Sequence, residues 1–118
     1  MRLKTEIWVK AYIRRCASAG VAAAVVRHGD DDAGAIYIRI NRLNGFSQVF
    51  GPAPAGLDSG ALDRQWVPYP IASNGADDAA DAYLRREVEF DSDLWIVEVE
   101  DRAGRHYLDG WLAEDTEN

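Results

Sequence analysis

Cysteine is almost missing from this chain: Cys16 stands alone, so an intramolecular disulfide is excluded and a reducing compartment is favoured. Histidine is scarce as well, with only His28 and His106. Neither belongs to a serine- or cysteine-nucleophile motif, and a general base without a nucleophile or substrate in reach does nothing. No segment approaches the roughly 20 apolar residues of a membrane span, and the N-terminus has no signal-peptide core. Cations are short too. Formal net charge is −7, yet residues 1–20 hold Arg2, Lys4, Lys10, Arg14 and Arg15 against Glu6. That end is +4, so the remainder carries −11. An acidic body lacks the clustered cations that phosphate backbones require, which argues against general nucleic-acid binding.

What is present is ordinary for a globular protein. At 118 residues, 47% hydrophobic and 28% charged, the chain is long enough for a single core without metal or disulfide staples. Thr5 to Ala19 reads as an amphipathic helix, with Thr5 as N-cap and Gly20 just past its end. Trp8, Val9, Tyr12, Ile13 and Cys16 form its apolar stripe, while Lys10 and Arg14 lie opposite. Val21–His28 and Ala35–Leu43 read as strands, and Asn44-Gly45 predicts a two-residue hairpin turn into Phe46–Phe50. That turn sets Leu43 against Phe46 and Ile40 against Val49. Gly51 to Asp63 has no periodicity and reads as a loop. Arg64–Tyr69 is a short strand, which Pro68 assigns to a sheet edge. Ala76–Glu89 is the second helix, with Ala80, Tyr83, Leu84 and Val88 inward and Phe90 tucked under its exit.

The last ordered stretch reads as a hairpin. Trp95, Val97 and Val99 share one face and Glu98 and Glu100 the other. A turn at Asp101–Gly104 pairs Glu100 with Arg105, Val99 with His106, Glu98 with Tyr107 and Val97 with Leu108. Residues 112–118 form an acidic, frayed tail beyond a domain spanning residues 1–111. The element order α-β-β-β-β-α-β-β predicts a single α+β domain. Its mainly antiparallel sheet has about six strands, and both helices pack on one face.

Four blocks resemble, in combination, the small bacterial proteins of the DUF1491 family. They are Trp8-Val-Lys-Ala-Tyr-Ile-Arg-Arg15, Arg27-His-Gly-Asp-Asp-Asp-Ala-Gly34, Phe50-Gly-Pro52, and Asp91-Ser-Asp-Leu-Trp95 running through Val97-Glu-Val-Glu-Asp101. The likeness runs from the first helix to the last strand. It implies a bacterial cytoplasmic protein and brings no activity, cofactor or site residue.

No catalytic constellation assembles from the residues. The aspartate-rich loop matches a calcium loop at Asp30 and Asp32, then fails where Gly34 and Asn41 occupy ligand positions. The leading expectation is therefore a non-catalytic module that binds a protein or a ligand, without a cofactor. Its partner surface is Lys10, Arg14, Arg15 and Trp111, and a second copy of the chain is one candidate occupant. The alternative is a metal-dependent enzyme using Asp91, Asp93, Glu98 and Glu100. A third reading is nucleic-acid binding through the basic helix.

Overall fold

A computed structural model describes residues 3–54 and 64–113 of the chain. Within those residues the architecture is α+β, with five strands in one mixed sheet. Helix α1 (Thr5–Ser18) leads into β1 (Ala22–Arg27), β2 (Ile36–Asn41), β3 (Ser47–Pro52) and β4 (Trp66–Tyr69). A one-turn element, α2 (Ala72–Gly75), precedes helix α3 (Asp77–Phe90), and β5 (Trp95–Glu100) comes last. Spatial order is β1-β5-β2-β3-β4. β5 runs antiparallel to β1 and parallel to β2, while β2–β3 and β3–β4 are antiparallel.

That interior placement of β5 overturns the terminal hairpin. Both its edges are taken, by β1 and β2, so Arg105–Asp109 has no edge to pair with. Glu100 lies opposite Ala22 and Asn41 rather than Arg105. The turn after it is real, closed by a bond from Gly104 N–H to the Asp101 carbonyl at 2.9 Å. Beyond it the chain crosses to α1: the Tyr12 hydroxyl donates to the His106 carbonyl at 2.6 Å. It then reaches the outer edge of β4, where Trp66 N–H donates to Trp111 O and Ala113 N–H to Trp66 O. Leu112 and Ala113, expected in a frayed tail, are thus tied down; residues 114–118 lie outside the described residues.

The helices sit on opposite faces of the sheet, not on one. Trp8, Val9, Tyr12 and Cys16 of α1 pack on Ile36, Ile38, Ile40, Trp95, Val97 and Val99. Ala80 and Leu84 of α3 pack on Tyr37, Val49, Leu94 and Ile96. Alternation along the strands explains this, since both faces of β2 and β5 carry apolar residues and each needs a cover. The parity assigned to Trp95, Val97 and Val99 holds, and Pro68 does stand on an edge strand.

Two local expectations fail for identifiable reasons. Thr5 is the first helical residue rather than the cap; its buried hydroxyl donates to Gly34 O at 2.9 Å and accepts from Arg64. The Asn44-Gly45 turn is longer than two residues, closed by Arg42 N–H to Phe46 O. The register moves by one, so Ile40 faces Gln48 and Asn41 faces Ser47. The Asn41 and Asn44 side chains, accepting from Leu43 and Phe46 N–H, stabilise the longer loop. Phe90 is 86% exposed and tucks under nothing.

Candidate binding groove

The C-terminal segment shares the α1 face, so that side of the sheet is well covered. On the other side α3 packs over β2, β3 and the start of β5, leaving the end of β5 at Glu98 and Glu100, and β1, open beside it. An open groove of about 410 Å³ results, lined by Val26 of β1, Ile96 and Glu98 of β5, Arg39 of β2, and Asp81, Leu84, Arg85 and Val88 of α3. It continues over β1 as a smaller depression of about 330 Å³ along Ala22, Ala24, Val26, Glu98 and Glu100. The small side chains of β1 keep this floor low. Apolar and charged groups alternate around it, which is the usual composition of a recognition site.

Arg39 anchors the end of the groove nearest α3. Its side chain lies among apolar strand residues at 8% exposure, and a buried cation persists only with partners. Nε donates to Ser47 Oγ at 3.0 Å, one Nη to the Asp81 carboxylate, and the other to the Asp77 carbonyl and carboxylate at 3.2 and 3.3 Å. Ser47 Oγ in turn donates to Asp77 at 2.7 Å. Asp77 and Asp81 stand one helical turn apart, so both reach the same guanidinium. Burial pulls the Arg39 pKa down, but the Asp81 hydrogen bond and charge more than offset it, and the cation is held. Sequence reasoning passed over Arg39. The signal was available: an arginine between Ile38 and Ile40 in an apolar strand demands an acidic partner.

Glu98 accepts from Asn41 Nδ2 at 3.1 Å, which orients its carboxylate on the groove floor. Glu100 follows on the same face and is exposed. Asp91 and Asp93 are elsewhere, in the turn before β5, where Asp91 Oδ1 accepts from Asp93 N–H. The structure therefore splits the four acids proposed for a metal into two separate pairs. Among the described residues no group of three or more histidine, cysteine, aspartate or glutamate side chains is placed to hold a metal ion.

The basic face of α1 is partly engaged within the chain. Lys4 meets Asp32 at 3.7 Å and Lys10 meets Glu6 at 3.4 Å. Arg15 lies 3.9 Å from the centre of the Trp111 ring and donates to the carbonyls of Tyr107 and Asp109. Trp111 itself packs edge-on against Trp8 at 4.9 Å, docked on the body. Of these cations Arg14 alone has neither an ion pair nor a side-chain hydrogen bond or ring contact among the described residues. Arg15, though without an ion pair, is held by the two carbonyls and Trp111.

The aspartate-rich loop is a structural device. Carbonyls of Asp31 and Asp32 accept from Glu6 and Thr5 N–H, capping the start of α1. Asp30 folds the loop by accepting from Asp32 and Ala33 N–H. His28 lies tilted against Trp95, ring centres 4.0 Å apart, and meets Asp31 at 2.6 Å, exposed and away from the groove. His106, the other histidine, accepts from Leu108 N–H through Nδ1. Burial, with Glu87 nearby, pushes the Tyr83 hydroxyl up to about 12, and burial also raises Tyr37, whose hydroxyl donates to Glu87. These phenols are packing groups, protonated at neutral pH. A second, smaller cavity of about 160 Å³ lies beside Gly34, Ile36, Pro52 and Trp66. Its charged side chain, Arg64, already donates to Thr5 Oγ1 and the Leu3 carbonyl.

Comparison with known proteins identifies relatives without a described activity. A family model described as "Protein of unknown function (DUF1491)" matches residues 3–109. The crystal structure of a DUF1491 family protein from Caulobacter crescentus CB15 is 38% identical, covering 98% of this chain and 100% of that one, with a TM-score of 0.78. An NMR structure of a DUF1491 family protein from the same organism is 39% identical over 98% of this chain and 99% of that one, with a TM-score of 0.77. The solution structure of protein Atu0922 from A. tumefaciens is 39% identical over 85% and 86% of the two chains, with a TM-score of 0.72. No match is found among curated proteins. No helix of the described residues is long and apolar enough to cross a membrane.

Proposed function

The chain belongs to the DUF1491 family, and from that premise we propose a non-catalytic binding module of the bacterial cytoplasm whose working surface is the groove between α3 and β1. One observation carries the reading. Exposed Val26 and half-buried Val88 stand over a floor of buried Leu84 and Ile96, beside a charged rim of Asp81, Arg85, Glu98 and Glu100. Asp77 and Asp81 neutralise Arg39, so the rim is acidic on balance. An amphipathic segment of another protein, apolar on one side and lysine- or arginine-bearing on the other, matches both features. The helix surface of Lys10, Arg14 and Arg15 ranks second, because most of its cations are spoken for within the chain. Metal-dependent chemistry at Glu98 and Glu100 has no third ligand to support it among the described residues.

The test is a backbone amide titration by NMR with two designed probes: a leucine–lysine amphipathic peptide and its leucine–glutamate counterpart. The expected result is a shift set confined to Val26, Leu84, Arg85, Val88, Ile96 and Glu98 with the basic probe, weakened by salt and absent with the acidic one. Shifts centred on α1, or none with either probe, would overturn the proposal.

A further inference from the structure

The two edges of the sheet are treated very differently. At β4, Pro68 removes a donor, and the C-terminal segment pairs with Trp66. At β1, the outer edge of Ala22–Arg27 has no backbone partner among the described residues. Natural edge strands are blunted by lysine, proline, an inward charge or a bulge. β1 has a bulge at Val26, where the register with β5 shifts. The bulged residue, however, is a valine left 61% exposed, next to Val25 at 40%. Ala22 to Val26 contains no charge and no proline. This is an edge prepared for pairing.

We propose that β1 pairs antiparallel with β1 of a second copy, joining two five-stranded sheets into one of ten strands. The proposal does not depend on what the groove binds. A twofold axis normal to the sheet keeps every side chain on its own face, so Ala24 can face Ala24, with Ala23 against Val25 and Ala22 against Val26. In that register each valine meets an alanine, large against small.

Charge selects a second copy as the occupant. The chain is acidic, and two copies should repel, yet this edge brings opposite signs together. Arg27 lies opposite Ile96 and Ala22 opposite Glu100, which places Arg27 and Glu100 on the same, α3-bearing face. In the paired sheet, Arg27 of one copy stands two strand spacings, about 10 Å between backbones, from Glu100 of the other. Two extended side chains span that gap. Arg27 uses one Nη on the Ser92 carbonyl, and its shielded Nε has no acceptor among the described residues. The two copies of Glu98 stay three spacings apart, about 14 Å, beyond the Debye length at physiological salt.

Sedimentation velocity on the full chain tests the pairing. The expected result is a concentration-dependent dimer, with Val26→Lys raising its dissociation constant at least about tenfold. Ile7→Lys, a half-exposed site on α1, leaves it unchanged. Glu100→Arg weakens the dimer, and the reciprocal pair Arg27→Glu with Glu100→Arg restores it. Ala24→Cys reads the register directly, because facing residues of an antiparallel pair lie about 4.5–5.5 Å apart at Cα, within disulfide range. Oxidation then gives a covalent dimer that the parent chain, with only buried Cys16, does not form. A monomer at several hundred micromolar, or a dimer indifferent to Val26→Lys and uncrosslinked at position 24, would overturn it.

Discussion

The indole Nε1 of Trp95 donates to the carbonyl oxygen of Asp30 at 2.8 Å, fastening the aspartate-rich loop to the first residue of the interior strand β5. Asp30 N–H donates in turn to the Asp93 carbonyl, so the loop lies flat on the turn before β5. Through the same loop the start of α1 is capped. One short segment therefore joins a helix on one face of the sheet to an interior strand, flanked by β1 and β2.

Gly29 permits this approach. A Cβ there would stand 2.1 Å from the Asp93 carbonyl oxygen and 2.6 Å from the Leu94 carbonyl, backbone atoms that cannot swing aside. Gly29→Ala is expected to cost about 3 kcal/mol or more, since the loop must lift and its bonds to Trp95 and α1 weaken together. Asp32→Ala, which removes only an exposed pair with Lys4, is expected to cost less than about 1 kcal/mol. Urea unfolding of the two variants side by side checks the contrast. Equal losses would mean that the carboxylates, rather than the close backbone approach, hold the loop.

Asp101 is expected to contribute to the acid limb of stability. Hydrogen bonds from the Arg105 side chain, with those of Arg105 and Ala103 N–H and the Tyr107 hydroxyl, hold its carboxyl down at about 2. The folded value lies below the ordinary aspartate value near 3.9, so the folded state binds this proton less readily than the unfolded one. The resulting stability is fully present above about pH 4 and is lost as pH falls towards about 2. Asp101→Asn is expected to cost roughly 1–3 kcal/mol at neutral pH and to flatten the pH dependence across that window. Thermal unfolding of both chains at stepped pH measures it, and parallel curves would assign the acid limb to other carboxylates.

How far the sequence led can be seen in β5. Alternation placed Trp95, Val97 and Val99 on a buried face, because side-chain parity is a local property of a strand. It could not reveal which strands lie alongside. The parallel neighbour, β2, is some 57 residues away at Asn41 and Glu98, and nothing in either segment names the other. The nearest sequence partner, Arg105–Asp109, therefore looked like the natural mate. The opposed helices were closer to legible. Leu94, Trp95, Ile96 and Val97 form an unbroken apolar run, as do the alternating faces of Ile36-Tyr-Ile38, and such runs mark strands covered on both sides. The acids of the groove were visible as residues; their separation from Asp91 and Asp93 was not, because the bend before β5 decides it. The open edge of β1 could not be read at all, since edge status belongs to the sheet and not to the strand.

Arg39 offers a test of whether the polar cluster at the groove exists for stability. Its guanidinium reaches Ser47, Asp81 and the Asp77 carbonyl and carboxylate at once, a fork that an ammonium cannot reproduce. Arg39→Lys is expected to cost about 1–3 kcal/mol through lost hydrogen bonds. Arg39→Met is expected to cost about 2–4 kcal/mol, because it also leaves Asp77, Asp81 and Glu98 facing one another without a cation. That figure sits below the full cost of breaking a buried pair, since Asp77 and Asp81 are 39% and 56% exposed and water relieves them. Asp81→Asn should be mildest, as Asp77 still holds the guanidinium. Unfolding in urea at neutral pH, with an unchanged slope, checks the ranking. A near-neutral Arg39→Met would show that the cluster contributes little to the fold, and would move Arg39 from the frame of the groove to its recognition chemistry.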